Sequence, residues 1–135
     1  MNNDKIVSWI LRVGVAGEFF GHGVLAIGKK PDWIKWVVQL THVEVSTATT
    51  FIVAVGIFDV IVAAIVLIKP IKSVLLWATF WGFWTALVRP LVSVNISDIF
   101  SLTSPWLDFI ERFANWAAPL ALYYILKKDE QSKII

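Results

Sequence analysis

The sequence contains no cysteine and only two histidines, His22 and His42. The absence of cysteine excludes disulfide bonds, thiol redox chemistry, cysteine-ligated zinc and iron–sulfur clusters. Two histidines are too few for a histidine-rich metal site. Charged residues are also scarce, at 16% of the chain, whereas roughly 25% is usual in soluble proteins. Any chemistry of this chain therefore depends on a few carboxylates, arginines, aromatic rings and these two imidazoles.

Hydrophobic residues make up 58% of the chain and occur in long blocks. A block of about 18 or more apolar residues with few charges predicts a membrane-spanning helix, because it matches the ~30 Å hydrocarbon core. One predicted domain, residues 1–135, contains four such spans, at about residues 6–28, 45–68, 71–92 and 106–126. Backbone groups in lipid must bond within their own segment, so the predicted fold class is all-α. The short connections favour an integral membrane four-helix bundle in up-down-up-down order.

Basic residues near the span ends indicate the orientation. One side of the predicted bundle collects six lysines: Lys5, Lys69, Lys72, Lys127, Lys128 and Lys133. The opposite side has three lysines in its first loop and no basic residue between the third and fourth spans. The positive-inside rule then predicts a multi-pass protein of the inner cell membrane with both termini cytoplasmic. These lysines and anionic lipid headgroups account for the net charge of +2, so a nucleic-acid partner is not expected.

The loop between the first two spans carries an amphipathic pattern. Trp33, Trp36 and Leu40 recur at helical spacing, with Lys35 and Gln39 between them. This pattern predicts a short helix that lies in the headgroup layer between spans 1 and 2. Its tryptophans fit the aromatic belt of a membrane interface.

Two opposite charges lie within the first two spans. A charged side chain at the bilayer centre costs about 2.5–3.5 kcal/mol on insertion scales, so it usually faces the protein interior and has a partner. At about 1.5 Å of rise per residue, Arg12 in the first span and Asp59 in the second reach similar depths. We therefore predict an inner ion pair between Arg12 and Asp59. The pair would serve either as a site for chemistry or as a clamp between two helices.

Five further polar residues are predicted to meet in the outer half of the bundle. Glu18 and His22 are four residues apart and therefore share one face of the first helix. Arg89 lies near the outer end of the third span. Glu111 and Asn115, again four residues apart, lie in the outer half of the fourth. We predict that these five residues form a pocket for a ligand or a proton.

Helical spacing also predicts which side chains face inwards. Gly14, Gly17 and Gly21 line the first span, and small residues at such spacing allow close helix contact in lipid. We expect this glycine face to turn towards the neighbouring helices. Arg112 is expected to point away from the pocket and towards the membrane interface.

The predicted pocket has two interpretations. A glutamate–histidine pair can pass protons, and an arginine can hold an anion or a quinone-like carbonyl. The alternative is a self-satisfied salt-bridge network that only determines which helices pair. A haem between His22 and His42 is disfavoured because His42 lies in the outer loop. A quinone is therefore the candidate cofactor, and no metal is expected.

Tryptophans repeat along the third span. Trp77, Trp81 and Trp84 recur at helical spacing within the segment "WATFWGFW". They are interpreted either as bulk for lipid and helix packing or as an aromatic platform for a flat ligand such as a quinone.

Residues 11–28, "LRVGVAGEFFGHGVLAIG", resemble the opening helix of the DoxX-like family of small four-helix membrane proteins. The matching positions are Arg12, Gly14, His22, Gly23 and Gly28. The segments "ALVRPL" and "IERFANWAAPLAL" also resemble relatives within that group. The resemblance implies a membrane protein that is not an enzyme on its own. Some members are subunits of thiosulfate:quinone oxidoreductases, and others accompany redox or maturation machinery.

Three functions remain open from the sequence. The first is an accessory subunit of a membrane redox or maturation system, with a membrane redox partner and a small quinone-like or other ligand in the outer-half pocket. The second is a non-enzymatic membrane scaffold or chaperone whose polar network is purely structural. The third is translocation of a proton or small solute, for which one four-helix chain encloses little volume, so a pore would need a homo-oligomer.

Overall fold

The computed structural model describes residues 3–93 and 104–132, and all elements in these two ranges are helices. In chain order they are α1 (Asn3–Ile27), α2 (Pro31–Thr41), α3 (Val45–Ile68), α4 (Lys72–Val92), α5 (Pro105–Glu111) and α6 (Phe113–Gln131). Three of them, α1, α3 and α4, are long and apolar enough to cross a membrane. The predicted all-α class is confirmed, and these three helices coincide with the first three apolar runs.

Local chemistry explains where the helices begin and end. α2 starts with Pro31, whose fixed backbone angle suits the first helical position. It ends before His42, which adopts the left-handed region with a φ of 57°. Pro70 follows the end of α3, and a proline there prevents the helix from continuing, so α3 and α4 are joined by a short turn. At the start of α5, the Ser104 hydroxyl accepts a hydrogen bond from the Trp106 N–H at 3.3 Å.

The backbones of α1 and α3 come together at two glycines, Gly23 and Gly56. A Cβ atom on Gly23 would lie 2.7 Å from the Gly56 carbonyl oxygen, and one on Gly56 would lie 2.7 Å from the carbonyl oxygen of Gly23. Real Cβ atoms do not approach other atoms so closely, so only glycine permits this contact. The close approach increases van der Waals packing between the two helices. In a lipid environment such packing drives helix association, because there is no hydrophobic driving force between helices.

The glycine face predicted to pack lies on the outside of α1. Gly14 and Gly17 are exposed, and a Cβ atom on Gly14, Gly17 or Gly21 would meet no described atom within 4 Å. The expectation that these glycines turn towards neighbouring helices is therefore wrong for the single chain. The larger side chains of Val15 and Phe19 are buried on the other side of α1 and take that role.

A third glycine brings α4 close to α6. A Cβ atom on Gly82 would collide with the backbone carbonyl of Asn115. α6 also packs against α1, and α3 against α4, so the four long helices lie side by side. Their shared apolar core consists of Val15, Ala16, Phe19, Val62, Ala63, Val66, Leu75, Ala78 and Leu122.

Charged pairs join the helix ends at one end of the molecule, which we name the inner end. Lys128 donates a hydrogen bond to the Asp4 carboxylate at 2.8 Å, and Lys72 pairs with Glu130. The hydrogen bond to Asp4 raises the pKa of Lys128, although this exposed pair contributes little to stability. The start of α1, the α3–α4 turn and the end of α6 therefore lie together. Of the six clustered lysines, Lys133 lies outside the described residues.

The fourth apolar run does not form the continuous helix over 106–126 that the sequence predicts. Arg112, with φ −94° and ψ 13°, divides it into α5 and α6. The Arg112 N–H donates to the Phe109 carbonyl at 3.2 Å, and the Asn115 N–H donates to the Arg112 carbonyl at 3.0 Å. These bonds span three residues instead of four, and the tighter turn changes the direction of the side chains that follow.

Candidate functional site

The contact between α1 and α3 determines the depth of two acidic side chains. Gly23 meets Gly56, and the inner half of α1 is hydrogen-bonded to the end of α3, so the helices run antiparallel. In antiparallel helices, a residue one position later in α1 lies at the same depth as a residue one position earlier in α3. Gly23 lies between Gly56 and Val60, so it is level with about residue 58 of α3, and Asp59 is level with His22. Glu18 consequently lies about 6 Å, four residues of helix rise, further inwards than Asp59.

The same reasoning extends to α4 and α6. The short turn after α3 places Trp81 level with Asp59. The contact of Gly82 with the Asn115 backbone then places Trp116 level with Trp81. These side chains lie within about one helical turn of each other in depth, on four different helices, and we name them the acid layer: Glu18, Asp59, Trp81 and Trp116.

Asp59 is the most deeply buried charged side chain of this layer, at 3% exposure. Its Oδ1 atom is buried without a hydrogen-bond partner among the residues of the described ranges. The Trp81 indole approaches the Asp59 carboxyl group, and the Asp59 charge acts on the half-buried Glu18. The Trp116 Nε1 atom is likewise buried without a partner in the described ranges. The charge of Asp59 thus reaches Glu18, an interaction that the sequence analysis did not predict.

The predicted ion pair between Arg12 and Asp59 is not formed. The Arg12 guanidinium instead donates to the carbonyl oxygens of Val66 at 3.2 Å, Leu67 at 2.7 Å and Ile68 at 2.7 Å. It also lies 4.1 Å from the centre of the Trp9 ring. The last carbonyls of a helix lack partners within it and carry partial negative charge, so the end of α3 attracts the long arginine side chain.

His22 lies within reach of three positive charges at the outer end. The charges of Arg112, Arg89 and Lys30 all act on its imidazole. Its ring packs edge-on against Trp33 of α2, with ring centres 5.4 Å apart. α2 therefore reaches α1 through Trp33, while it packs mainly against α3.

Arg89 is held by partners that the sequence analysis missed. Its guanidinium binds the Asp108 carboxylate at 3.2 Å and lies 5.3 Å from the centre of the Trp36 ring. Gln39 of α2 donates to the Val92 carbonyl at 3.0 Å, which fastens α2 to the end of α4. Asp108 comes from α5, so Arg89 connects α4, α5 and α2.

The structure reverses the predicted directions of Glu111 and Arg112. The Glu111 side chain is 61% exposed, whereas the Arg112 side chain is 24% exposed and lies where its charge reaches His22. Arg112 donates to the Asp108 carbonyl at 2.7 Å and to the Glu111 carboxylate at 2.5 Å. The predicted directions assumed a continuous helix over residues 106–126. They are wrong because the tight turn at Arg112 divides that segment into α5 and α6. Asn115 contributes its backbone carbonyl to the contact with Gly82 of α4.

The predicted aromatic platform is formed in part. Trp77 and Trp81 stack with ring centres 5.6 Å apart and ring planes inclined by 12°. Phe58 of α3 meets Trp77 edge-on at 5.7 Å, so the stack packs between helices. Trp84 is 39% exposed and does not belong to this pair.

Open clefts in the described ranges lie elsewhere. One, of about 590 Å³, is at the inner end between the α3–α4 turn and the end of α6. Another, of about 420 Å³, lies along the start of α3 beside Ser46 and Thr50. Neither is lined by the five predicted pocket residues. Within 3–93 and 104–132, no three or more histidine, aspartate or glutamate side chains are grouped so that they could hold a metal ion, and His42 is exposed.

Comparisons with protein-family models, with curated proteins and with solved structures found no match to this chain.

Proposed function

We propose that this chain is a four-span protein of the inner membrane, of DoxX-like architecture, that acts as a non-enzymatic accessory or scaffold subunit. In this proposal α1, α3, α4 and the α5–α6 unit cross the bilayer. The helix α2 lies in the outer interface, and both termini are cytoplasmic. The outer polar residues hold helices together instead of holding a ligand.

The pairing of the two outer arginines is the observation that carries the proposal. Arg89 binds Asp108, and Arg112 binds Glu111. Trp36 packs over the Arg89 guanidinium. Each of these two arginines, either of which could hold an anion or a quinone carbonyl, is thus already paired with an acid of the same chain. The acids of these pairs are about half exposed, so each pair contributes little to stability, but neither arginine is left open for a ligand, and the network favours a structural role over an open pocket.

The surfaces of the helices support a lipid environment. Val13, Phe20, Ile57, Ile61 and Phe80 are all at least half exposed, which in water would be a large apolar surface. Hydroxyl groups on α3 and α4 donate to carbonyl oxygens four residues earlier, so they are satisfied without water. These residues are Thr49, Thr50, Thr79 and Thr85.

Gentle extraction into lipid nanodiscs tests the scaffold role. We expect the wild-type protein to retain a membrane partner in fixed ratio and to carry no stoichiometric quinone, as measured by mass spectrometry of proteins and lipid extracts. Arg89→Gln serves as the site variant, and Lys35→Gln, at an exposed position of α2, serves as its control. A stoichiometric quinone that is lost in Arg89→Gln but kept in Lys35→Gln would contradict the proposal and favour a ligand pocket.

The absence of cysteine makes the proposed orientation directly testable. A single cysteine is introduced either at Asp32, exposed on α2, or at Ser132, exposed beyond α6. With a membrane-impermeant maleimide on spheroplasts, we expect Asp32→Cys to be labelled at once and Ser132→Cys only after permeabilisation. Equal labelling of both positions before permeabilisation, or the reverse pattern, would refute cytoplasmic termini.

A further inference from the structure

The Asp59 side chain of α3 is buried among the helices without a counter-charge. Its exposure is 3%, and its Oδ1 atom has no hydrogen-bond partner among the described residues. The ion pairs within residues 3–93 and 104–132 involve other acids. A buried carboxylate is costly unless it is paired and hydrogen-bonded, so these surroundings disfavour the ionised form of Asp59.

The ionisable residues of α1 do not neutralise Asp59. His22 is level with Asp59, but no ion pair joins the two side chains within the described ranges. Glu18 lies about one turn further inwards and is itself an acid. The Arg12 guanidinium is bound to the last carbonyl groups of α3. The remaining ionisable residues of α1 lie at its inner end: Asp4 and Lys5.

The helices α2 and α4 also pack against α3, and their cations lie away from Asp59. Arg89 of α4 lies about 12 Å further outwards, eight residues beyond the level of Asp59, and is bound to Asp108. Lys72 lies at the inner end, where an acid of α6 binds it. The ionisable residues of α2 are both exposed: Asp32 and Lys35. Asp59 is the only ionisable residue of α3 itself.

The helix around Asp59 supplies hydrogen-bond acceptors, which suit a carboxyl group that carries a proton. Backbone N–H groups inside a helix are used by its own hydrogen bonds, whereas each carbonyl oxygen keeps a second lone pair. Thr49 and Thr50 of the same helix donate their hydroxyl groups to carbonyl oxygens four residues earlier. The O–H of a neutral Asp59 can donate in the same way to the Val55 carbonyl, and an ionised carboxylate has no O–H to donate. The Trp81 indole that approaches this carboxyl group can supply one neutral hydrogen bond, which does not replace a cation.

We propose that Asp59 is a proton-binding site: its carboxyl group carries a proton at neutral pH, and this proton keeps α1 and α3 closely packed. The contact between Gly23 and Gly56 lies one turn outwards of Asp59. Release of the proton would leave an unpaired charge between the helices, which is strongly destabilising unless water enters or the helices separate. A proton suits the site better than a metal ion, because no three histidine, aspartate or glutamate side chains of the described ranges are grouped to hold one. The site is separate from the outer arginine network, so the scaffold proposal stands or fails independently of it.

Infrared difference spectroscopy of the protein in lipid nanodiscs tests the proposal. At about pH 7, where exposed carboxyl groups are ionised, we expect a protonated-carboxyl C=O band that is lost in Asp59→Asn. Asp32→Asn makes the same chemical change at an exposed position of α2 and should keep the band. A band that Asp59→Asn retains at full intensity would overturn the proposal.

Isotope labelling of the wild-type protein covers the case in which Asp59→Asn does not fold. Incorporation of aspartate with heavy carbon in its side-chain carboxyl group should shift the band to lower frequency, because the heavier atom slows the C=O vibration. Asp59 is the only buried aspartate of the described ranges. The absence of any protonated-carboxyl band that responds to this label would show that Asp59 is ionised, and the proposal would be wrong.

Unfolding by urea in an uncharged detergent, followed by circular dichroism, tests the link between the proton and packing. If Asp59 holds a proton when folded and loses it when unfolded, the unfolding equilibrium constant rises about tenfold per pH unit. Between about pH 5 and about pH 7, above the ordinary aspartate pKa of about 3.9, the constant of the wild type should therefore rise about 100-fold relative to that of Asp59→Asn. Asp32→Asn should follow the wild type. A ratio of wild type to Asp59→Asn that does not change with pH would refute the proposed link.

Discussion

Replacement of Gly56 by alanine is expected to lower the free energy of unfolding by about 1–3 kcal/mol, the usual cost of overpacking. The new Cβ atom would lie 2.7 Å from the Gly23 carbonyl oxygen and 2.8 Å from the Ile27 backbone nitrogen. Backbone atoms cannot rotate out of the way as a flexible side chain can. α1 and α3 would have to separate along their contact, and the packing of Asp59 one turn further along α3 would loosen as well.

Gly17→Ala is the matched control, because a Cβ atom there would meet nothing within 4 Å. Alanine favours a helix over glycine by about 1 kcal/mol, so this variant is expected to be neutral or slightly stabilising. Reversible unfolding in mixed micelles, followed by circular dichroism, compares the two. If Gly17→Ala were destabilised and Gly56→Ala were unaffected, α1 would instead pack through the face of Gly14, Gly17 and Gly21, as the spacing of these glycines in the sequence had indicated.

The sequence predicts where the helices of this protein lie along the chain better than it predicts which face of each helix is buried. The lengths of α1, α3 and α4 follow from the apolar runs, since a span must match the hydrocarbon thickness. The helix α2 follows from its amphipathic repeat. The spacing of Gly14, Gly17 and Gly21 shows that they share a face, but not whether that face or the opposite one is buried.

The candidate site was predicted less well than the helices. Depth arithmetic placed Asp59 level with Arg12, whereas the contact of Gly23 with Gly56 and Val60 places Asp59 beside the outer half of α1, and Arg12 lies at the end of α3. A single turn with three-residue hydrogen bonds at Arg112 was enough to exchange the predicted directions of Arg112 and Glu111. Such a turn has no distinct residue pattern, because it depends on how α5 packs against α4.

Arg12→Gln is expected to destabilise the protein by about 2–3 kcal/mol, because hydrogen bonds to charged groups contribute about 1.5–3 kcal/mol and are not additive. The guanidinium satisfies three terminal carbonyl groups of α3 at once. Arg12→Lys should cost less, since an ammonium group keeps the favourable charge at the helix end. It should not restore full stability, because a compact ammonium lacks the planar fork that spans several carbonyls.

A double-mutant cycle with Asp59→Asn decides between this arrangement and the ion pair predicted from the sequence. If Arg12 binds the end of α3 and not Asp59, the effects of Arg12→Gln and Asp59→Asn on the free energy of unfolding should add to within about 0.3–0.5 kcal/mol. An ion pair would make the double variant less damaged than the sum, because each single change would already have broken the shared interaction. A coupling free energy above about 1 kcal/mol would therefore show that the inner ion pair is formed. It would also give the buried Asp59 carboxyl group a cationic partner.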